Sequence, residues 1–578
     1  LPLRVESRTG DTSTSVKKRQ REAMPELLVT TPESLSLLLS YRDAARLLAP
    51  LRAVIVDEWH ELLGSKRGTL LELALARVRS VAPRLRTWAL SATLANPEQA
   101  AVAACGARPG RPAPSLIRAD LRRETRLSTL LPASIDTFPW GGHLGRSMVP
   151  RLVDALERDR STLIFVNTRR QAELWHQDLR AAVPEMADAI ALHHGSIDRA
   201  ERERVEAGVK DGSVRWVVAT SSLDLGVDFQ PVERVVQIGS AKAVARLLQR
   251  AGRSAHVPAG TSEVLFVPTH ALELLEAGAL RRAMAAGALE PRTPLVKPYD
   301  VLAQHLVTLA CGDGFDLAQL DDELADTAAY RELSDAERDA VLEVVTHGGR
   351  ALHAYESFRR VVRGDDGRYR IASPALARRH RMQIGTITRD QAVQLRFTNG
   401  RVVGTVEESF VAKLRKGDVF VFAGRTLELV ALQGLRATVR TTRRASTATP
   451  AWRGGRLPIS ETMGRFVREA LQTPDATPEV RALAPLLDVQ ARVSAVPASD
   501  EVLIETTDTR EGRHLFLFPI EGRRVHEGLA ALLAIRLGRR EPGTFAYAAN
   551  DLGLTLLGPR GYPFAERIDD ALFSPDGL

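Results

Sequence analysis

Over the first 100 residues, apolar and polar positions alternate in short blocks. "ELLVTTPESL" is an apolar run, a turn and a helix start, "RAVIVDEW" and "LRTWALSATL" are apolar runs that each end on polar residues, and "GTLLELALARVRSV" between them repeats its apolar residues at helical spacing. Strands separated by helices of this length predict a parallel sheet with helical crossovers. The pattern pauses at "CGARPGRPAP" and restarts. "STLIFVNTRRQAELWHQDL" reads as strand, polar turn and helix, and "VRWVVATSSLDLGVDF" and "VERVVQIGS" add strands, which makes a second α/β unit. The texture then becomes helical, with Ser334 and Glu337 spaced as a capping box. It closes on "FRRVVRGDDGRYRIAS", two strand-like runs about a Gly/Asp turn. Helices followed by a hairpin predict a winged helix. Beyond it, "AVQLRFTNGRVVGTVEESFVAKLRKGDVFVFAGRTLELVAL" alternates at period two with Asn-Gly and Lys-Gly-Asp turns, so antiparallel, barrel-like β structure is expected. Helical stretches such as "RRVHEGLAALLAIRLGRR" follow it. The expected class is α/β, in four domains over 1–145, 146–290, 291–378 and 379–578.

Composition narrows the class without naming a function. Of 578 residues, 44% are hydrophobic and 26% charged, as in ordinary soluble proteins. No uncharged apolar run reaches the length of about 18 residues that a membrane span needs, and "LPLRVESRTGD" is no signal peptide, so a cytoplasmic protein is expected. Leu1 opens directly into patterned sequence, which suggests a fragment or a mis-assigned start. Cys105 and Cys311 lie far apart with no metal-ligand spacing, so a reducing compartment and two core thiols are expected. The net charge of +8 leans toward a polyanionic partner. Only eight of 79 basic residues are Lys. That excess of Arg suits phosphates, but a GC-rich genome produces it too, so charge alone decides little.

Candidate chemistry starts at Asp57 and Glu58, which follow an apolar strand at the end where α/β sheets bind ligands. In a nucleotide hydrolase the first acid holds Mg²⁺, usually through water, and the second orients or deprotonates the attacking water. Such a pair alone is weak. Five further signatures follow in order: Ser91-Ala92-Thr93, "IFVNTRR", "HHGS", "ATSSLDLGVD" and "QRAGRSAH". The set resembles a superfamily 2 helicase, and Asp57-Glu58-Trp59-His60 resembles its DExH box.

That resemblance assigns expected roles. Arg253 resembles the arginine finger that a second domain delivers to the γ-phosphate, which can change the rate by several orders of magnitude. Gln249 and Gly252 match the motif's other fixed places. Arg250 reads as a structural or nucleic-acid contact, with a phosphate role left open. Many relatives carry a second Arg where this chain has His256, so the two-arginine mechanism is not implied. Gly226 and Asp228 match the segment beside the nucleotide ribose, His60 completes the carboxylate box, and Ser91 and Thr93 look like the element coupling that box to the cleft. Nucleic-acid contacts are expected from Gly10, from Thr31 and Pro32 at a helix N-terminus, and from Thr168, Arg169, His194, Gly195 and Thr220. Trp452, in a loop with Arg443, Arg444, Arg453 and Arg456, is expected to stack on bases at about 1–3 kcal/mol per base, against the plainer reading of a core Trp.

The winged helix and β-rich tail together resemble the Lhr family, and "PAWRGGRLPISETMGRFVREAL", "LFLFPIEGRRVHEGLAALLAIRLGRR" and "TFAYAANDLGLTLL" look most like its ligase-associated DExH branch. The resemblance implies two RecA-like domains, the first incomplete. It also implies ATP and Mg²⁺ as cofactors, and 3′-to-5′ translocation on single-stranded DNA with unwinding of DNA duplexes and RNA–DNA hybrids. DNA repair in a bacterial cytoplasm follows, beside an ATP-dependent DNA ligase and a metallo-β-lactamase-fold exonuclease. One part is missing. None of the lysines at 17, 18, 66, 210, 242, 297, 413 and 416 follows a Gly-rich loop and precedes a hydroxyl, as a phosphate cradle requires. In such helicases the cradle lies further upstream than the 56 residues that precede Asp57. The chain as given is therefore expected not to hydrolyse ATP. A DExH RNA helicase and a plain DNA-binding module are the alternatives, and a nuclease is disfavoured for want of a second acidic cluster.

Overall fold

The computed structural model describes residues 3–92, 94–106, 112–118, 124–139, 144–224, 232–254, 261–353, 355, 358–384, 392–445, 448–450, 457–473 and 477–575. The chain divides into two compact units, Leu1–Ala119 with Pro291–Arg389, and Asp120–Glu290 with Asp390–Leu578.

In the first unit, β1 (Val5–Arg8) and β2 (Leu27–Thr30) form one parallel pair, and β3 (Ala53–Val56) and β4 (Arg86–Ala89) another. Each strand is only four residues long, and apolar side chains on all four stay open to water: Val29 is 55% exposed, Ile55 59% and Trp88 59%. Two-stranded pairs with open apolar faces are not self-sufficient in water. The unit is anchored instead by the helix Lys66–Val81, capped by the Ser65 hydroxyl and buried from Gly68 to Arg79. That helix is apolar on more than one face because it packs on two sides, against the helices Pro32–Leu39 and Tyr299–Cys311.

The three buried charges on this helix are matched from the 291–389 segment. The Glu72 carboxylate accepts the N–H groups of Ala328 and Ala329 at 3.0 and 3.2 Å, Arg77 faces Glu323 at 3.1 Å, and Arg79 meets Asp326 at 2.6 Å. The winged helix is thus part of the first α/β unit. It comprises the helices Tyr299–Cys311, Leu317–Ala325 and Asp335–His347, the antiparallel hairpin of β11 (Val361–Arg363) and β12 (Tyr369–Ile371), and the helix Pro374–Gln383. The Ser334–Glu337 capping box forms as its spacing indicated.

Burial lifts Glu72 to about 7 against the two backbone N–H groups and Arg79. A raised carboxyl contributes stability that is complete below its unfolded pKa and is lost as pH climbs through about 7. Glu323 behaves the same way. His305 and His380, held low by burial, work in the opposite direction, so the parent's own pH profile is flattened. Glu72→Gln isolates the effect. The variant is expected to match the parent near pH 5 and to exceed it by up to about 3 kcal/mol at pH 8. Urea denaturation at both pH values measures this, and an advantage independent of pH would contradict it.

In the second unit, β5 (Thr125–Thr129), β6 (Thr162–Phe165), β7 (Ile190–His193), β8 (Trp216–Ala219), β9 (Arg234–Ile238) and β10 (Ser262–Val267) form a wholly parallel sheet in the order β5-β10-β9-β6-β8-β7. The central strands are buried throughout, as a sheet covered on both faces requires. β5 corrects the expected boundary at 145. It pairs along β10 and covers what would be an open edge of the second sheet, so the chain changes units near residue 119.

The region after 391 is β-rich as expected, but it resolves into two sheets. β13 (Ala392–Phe397), β14 (Val402–Glu407), β15 (Val419–Phe422), β16 (Arg425–Gln433) and β17 (Arg436–Thr441) make a mixed five-stranded sheet in the order β14-β13-β17-β16-β15. β18 (Leu503–Asp508), β19 (Arg513–Phe518), β20 (Ala546–Ala549) and β21 (Leu554–Gly558) make an antiparallel sheet backed by the helix Arg523–Arg540. Cys105 and Cys311 are free thiols. Among the described residues no helix is long and apolar enough to cross a membrane.

Candidate nucleotide and nucleic-acid site

Asp57 and Glu58 follow β3 at its carboxyl end, where the strand's last residue, Val56, is buried. The chain turns sharply there. Glu58 has φ 49° and ψ 42°, a left-handed conformation that costs a non-glycine residue free energy, and the Asp57 carboxylate accepts its N–H at 3.0 Å. Trp59, the residue in the box's variable place, is the anchor of this turn. It is buried, its indole N–H reaches the Ala100 carbonyl at 2.8 Å, and its backbone N–H reaches the Leu90 carbonyl at 2.9 Å.

His60 ties the box to the Ser-Ala-Thr segment. Its Nδ1 accepts the Ala92 N–H at 3.1 Å, which leaves Nε2 as the protonated nitrogen of a neutral ring, facing the Glu58 and Glu61 carboxylates at 3.6 and 3.5 Å. The expected coupling through side-chain hydroxyls is not what the described geometry contains at Ser91, whose Oγ donates to the neighbouring Ala92 carbonyl at 2.8 Å. Thr93 lies outside the described residues.

In the second unit, the helix Val244–Ala251 carries Gln249 and Arg250 and is followed at once by Arg253. Arg250 is buried. It grips Asp224 with two nitrogens at 2.9 and 3.2 Å and Gln237 Oε1 with a third at 2.5 Å, and lies 4.6 Å from the centroid of the Phe165 ring. This placement favours the structural role over a phosphate contact. Arg253 is half-buried, and its guanidinium donates to the Asp224 carbonyl at 2.9 Å. Asp224 therefore organises both arginines. It sits four residues before Asp228 in the same motif, and nothing in the spacing distinguishes the two. Gly226, Asp228 and His256 lie outside the described residues.

The helix Val244–Ala251 is also held from behind. Glu290 accepts the N–H groups of Val244 and Ala245 at 2.8 and 2.9 Å, a carboxylate on a helix N-terminus, and takes a third bond from the Ser460 hydroxyl at 2.8 Å. Lys242, half-buried just before that helix, pairs with Asp551 at 2.8 Å and Glu276 at 3.8 Å. Burial opposes its charge, but the two acids outweigh burial and push it up to about 12. Sequence reasoning missed this brace because its members lie up to 309 residues apart.

The expected nucleic-acid residues gather at the carboxyl ends of adjacent parallel strands. In the first unit β1 and β2 run in register, Arg8 beside Thr30, so exposed Gly10 and half-buried Thr31 follow neighbouring strand ends. Thr31 caps the helix Pro32–Leu39 by accepting the Ser34 N–H at 3.3 Å, with Pro32 in the first turn. In the second unit β6, β8 and β7 are neighbours. Thr168 and Arg169 follow the first, Thr220 the second, and His194 and Gly195 the third. Thr168 caps the helix Arg169–Ala182, and Arg169 donates to Ser196 Oγ at 2.8 Å. Gly195 is exposed, and a side chain there would meet open space. Thr220 is buried, and so is His194, whose Nε2 faces Glu173 at 3.2 Å. The His194 side chain thus has a structural partner, while the backbone around Gly195 remains open. Trp452 lies outside the described residues.

The matches along the chain follow the same order of parts. They are DEAD/DEAH box helicase over 1–101, helicase conserved C-terminal domain over 146–257, the winged helix domain of large helicase-related proteins over 282–449, and DEAD/H associated over 496–578. The ATP-dependent helicase Lhr-Core protein 2 of Thermococcus barophilus is 30% identical over an alignment covering 100% of this chain and 69% of that protein. The chain belongs to the Lhr family of ATP-dependent helicases. The Lhr helicase/uracil glycosylase of Escherichia coli is 28% identical across 96% of this chain and 40% of its own length. Among solved structures, the Mycobacterium smegmatis helicase Lhr bound to ssDNA and AMP-PNP superposes with a TM-score of 0.73 at 25% identity, over 99% of this chain and 72% of that one. The DUF1998 helicase MrfA bound to DNA shares the fold, with a TM-score of 0.61 at 16% identity over 97% of this chain and 75% of that one.

Proposed function

We propose that this Lhr helicase is a 3′-to-5′ translocase on single-stranded DNA that unwinds DNA duplexes and RNA–DNA hybrids in DNA repair. The observation that carries the nucleic-acid reading is the pair of strand-end edges, Gly10 with Thr31 in one unit and Thr168, Arg169 and Gly195 in the other. Loops, helix N-termini and exposed backbone at such edges suit a sugar–phosphate chain. That the M. smegmatis Lhr and MrfA structures are bound to DNA supports the choice of DNA. A bacterial cytoplasm, the ligase-associated branch, and a DNA ligase and metallo-β-lactamase-fold exonuclease as partners belong to the same proposal.

Asp57, an exposed carboxylate at a strand end, has the hard oxygen donor that Mg²⁺ takes, usually through water. Glu58 would orient the attacking water, with His60 carrying its position to the Ser91–Thr93 segment. Arg253 would serve as the finger, placed by Gln249 and the braced helix, while Gly226 and Asp228 would lie by the ribose. Trp452 would stack on the tracked strand.

The chain by itself would bind single-stranded DNA but hydrolyse no ATP, because no lysine in it closes a phosphate cradle. With excess single-stranded DNA, ATP turnover by the 578-residue chain is expected at background, while DNA affinity falls steeply between 50 and 200 mM salt. Robust turnover would overturn the cradle argument. Absence of salt-sensitive binding would overturn the nucleic-acid reading.

A further inference from the structure

The winged helix carries a charged surface that neither strand-end edge uses. Residues 355–382 contain eight arginines against three acids. Five of those arginines are exposed without a carboxylate partner among the described residues: Arg359, Arg360 and Arg363 along the first arm of the β11–β12 hairpin, and Arg378 and Arg379 on the helix Pro374–Gln383. The two groups adjoin, because the N–H of Ala372, just ahead of that helix, donates to the Arg360 carbonyl at 2.8 Å. Of the hairpin's acids, Asp366 is occupied by Arg370 in a two-pronged pair, which leaves Asp365 at the tip. Tyr355, 60% exposed, stands edge-on to Phe358, and Met382 on the helix is 77% exposed.

Five exposed guanidinium groups without a carboxylate partner among the described residues, one of them (Arg363) 5.9 Å from the centroid of the Tyr369 ring, concentrate positive charge on one small module. We propose that this wing surface grips the phosphate backbone of double-stranded DNA. The inference rests on the nucleic-acid reading of the chain. Duplex is favoured over single strand by shape. Sites for a single strand line a groove with successive stacking aromatics, whereas here the cations lie along a two-stranded ribbon and a neighbouring helix. A two-stranded ribbon fits a duplex groove, with its flanking charges meeting phosphates on either side.

The test uses the chain itself, with three probes: a single-stranded oligonucleotide, a duplex with that strand as a 3′ tail, and a blunt DNA duplex. The substitutions R359Q/R360Q/R363Q are all at exposed positions, and R378Q/R379Q is the second variant. At 100 mM salt, each is expected to weaken tailed and blunt duplex binding roughly ten-fold or more. Affinity for the single strand should stay within about two-fold of the parent's, and the triple variant's duplex salt slope should fall by up to about three. An equal loss on single strand and duplex would assign the surface to the tracked strand and overturn the proposal, as would unchanged duplex binding. Should the parent bind blunt duplex but not the single strand, the strand-end edges would be at fault and the wing would stand.

Discussion

Replacing Arg250 by alanine is expected to destabilise the second unit by about 3–5 kcal/mol, enough to consume a large part of a domain's stability. The guanidinium is buried and is held inside the fold by Asp224 through two bonds, Gln237 through a third, and the face of Phe165. Alanine removes the cation and leaves the Asp224 carboxylate buried with its countercharge gone. The consequence extends to Arg253, whose guanidinium is positioned by the carbonyl of the same Asp224. The cause can be separated from simple loss of packing. If the uncompensated carboxylate dominates, Asp224→Asn added to Arg250→Met should recover part of the loss, so that the double variant is more stable than Arg250→Met alone. Urea denaturation of the two variants and the parent decides the matter. A loss under about 1 kcal/mol for Arg250→Ala would show that the pair is not a keystone of the unit.

Much of the architecture was legible because hydrophobic period reports directly on what a segment buries. "STLIFV" and "WVVAT" read as strands and are buried on both faces, and the Ser334–Glu337 spacing reads as a capping box and is one. The strand-end residues were legible for a related reason: an apolar run that ends on Thr-Arg, His-Gly or Thr places those groups at one sheet edge wherever the strands are parallel. What period cannot report is the identity of the neighbour. The helix Lys66–Val81 shows that it is buried but not that Ala328, Glu323 and Asp326 meet its charges, so the pattern alone sets the winged helix apart as a separate domain. Asp224 and Asp228 are equivalent in sequence, and only the fold singles out the partner of Arg250. His194 is expected as a nucleic-acid contact only through its place in the helicase-like motif "HHGS", since a polar residue after a strand is by itself more often a turn or cap residue. Its burial follows from a carboxylate 21 residues away and from a β-sheet more than 200 residues downstream.

That joint gives the second large effect. Glu173→Ala is expected to cost about 3–5 kcal/mol and also to weaken single-stranded DNA binding by the edge at Gly195. Glu173 is buried, and its carboxylate accepts from His194 Nε2 at 3.2 Å, from the Ala423 N–H at 2.5 Å and from the Gly424 N–H at 3.0 Å. Alanine strands both backbone donors and the imidazole away from water. Burial alone would raise the Glu173 pKa, but His194 and the two N–H groups outweigh it and hold it low, so the joint's stability is present above the ordinary carboxyl range and is lost as pH falls below it. The loop after His194 is bound in turn to the edge of the five-stranded sheet. Thr405 N–H donates to the Ser196 carbonyl at 2.9 Å and Asp198 N–H to the Val403 carbonyl at 3.1 Å. The approach is close enough that a Cβ on Gly404 would lie 2.2 Å from that Ser196 oxygen. Loosening Glu173 therefore frees one end of a clamp on the loop presenting Gly195. Hydrogen exchange should rise together over residues 194–198 and 420–425, while the helix Val244–Ala251, held by Glu290, keeps its protection. If the two segments exchange independently in the variant, or if DNA affinity is untouched while stability falls, the clamp does not couple the sheet to the nucleic-acid edge.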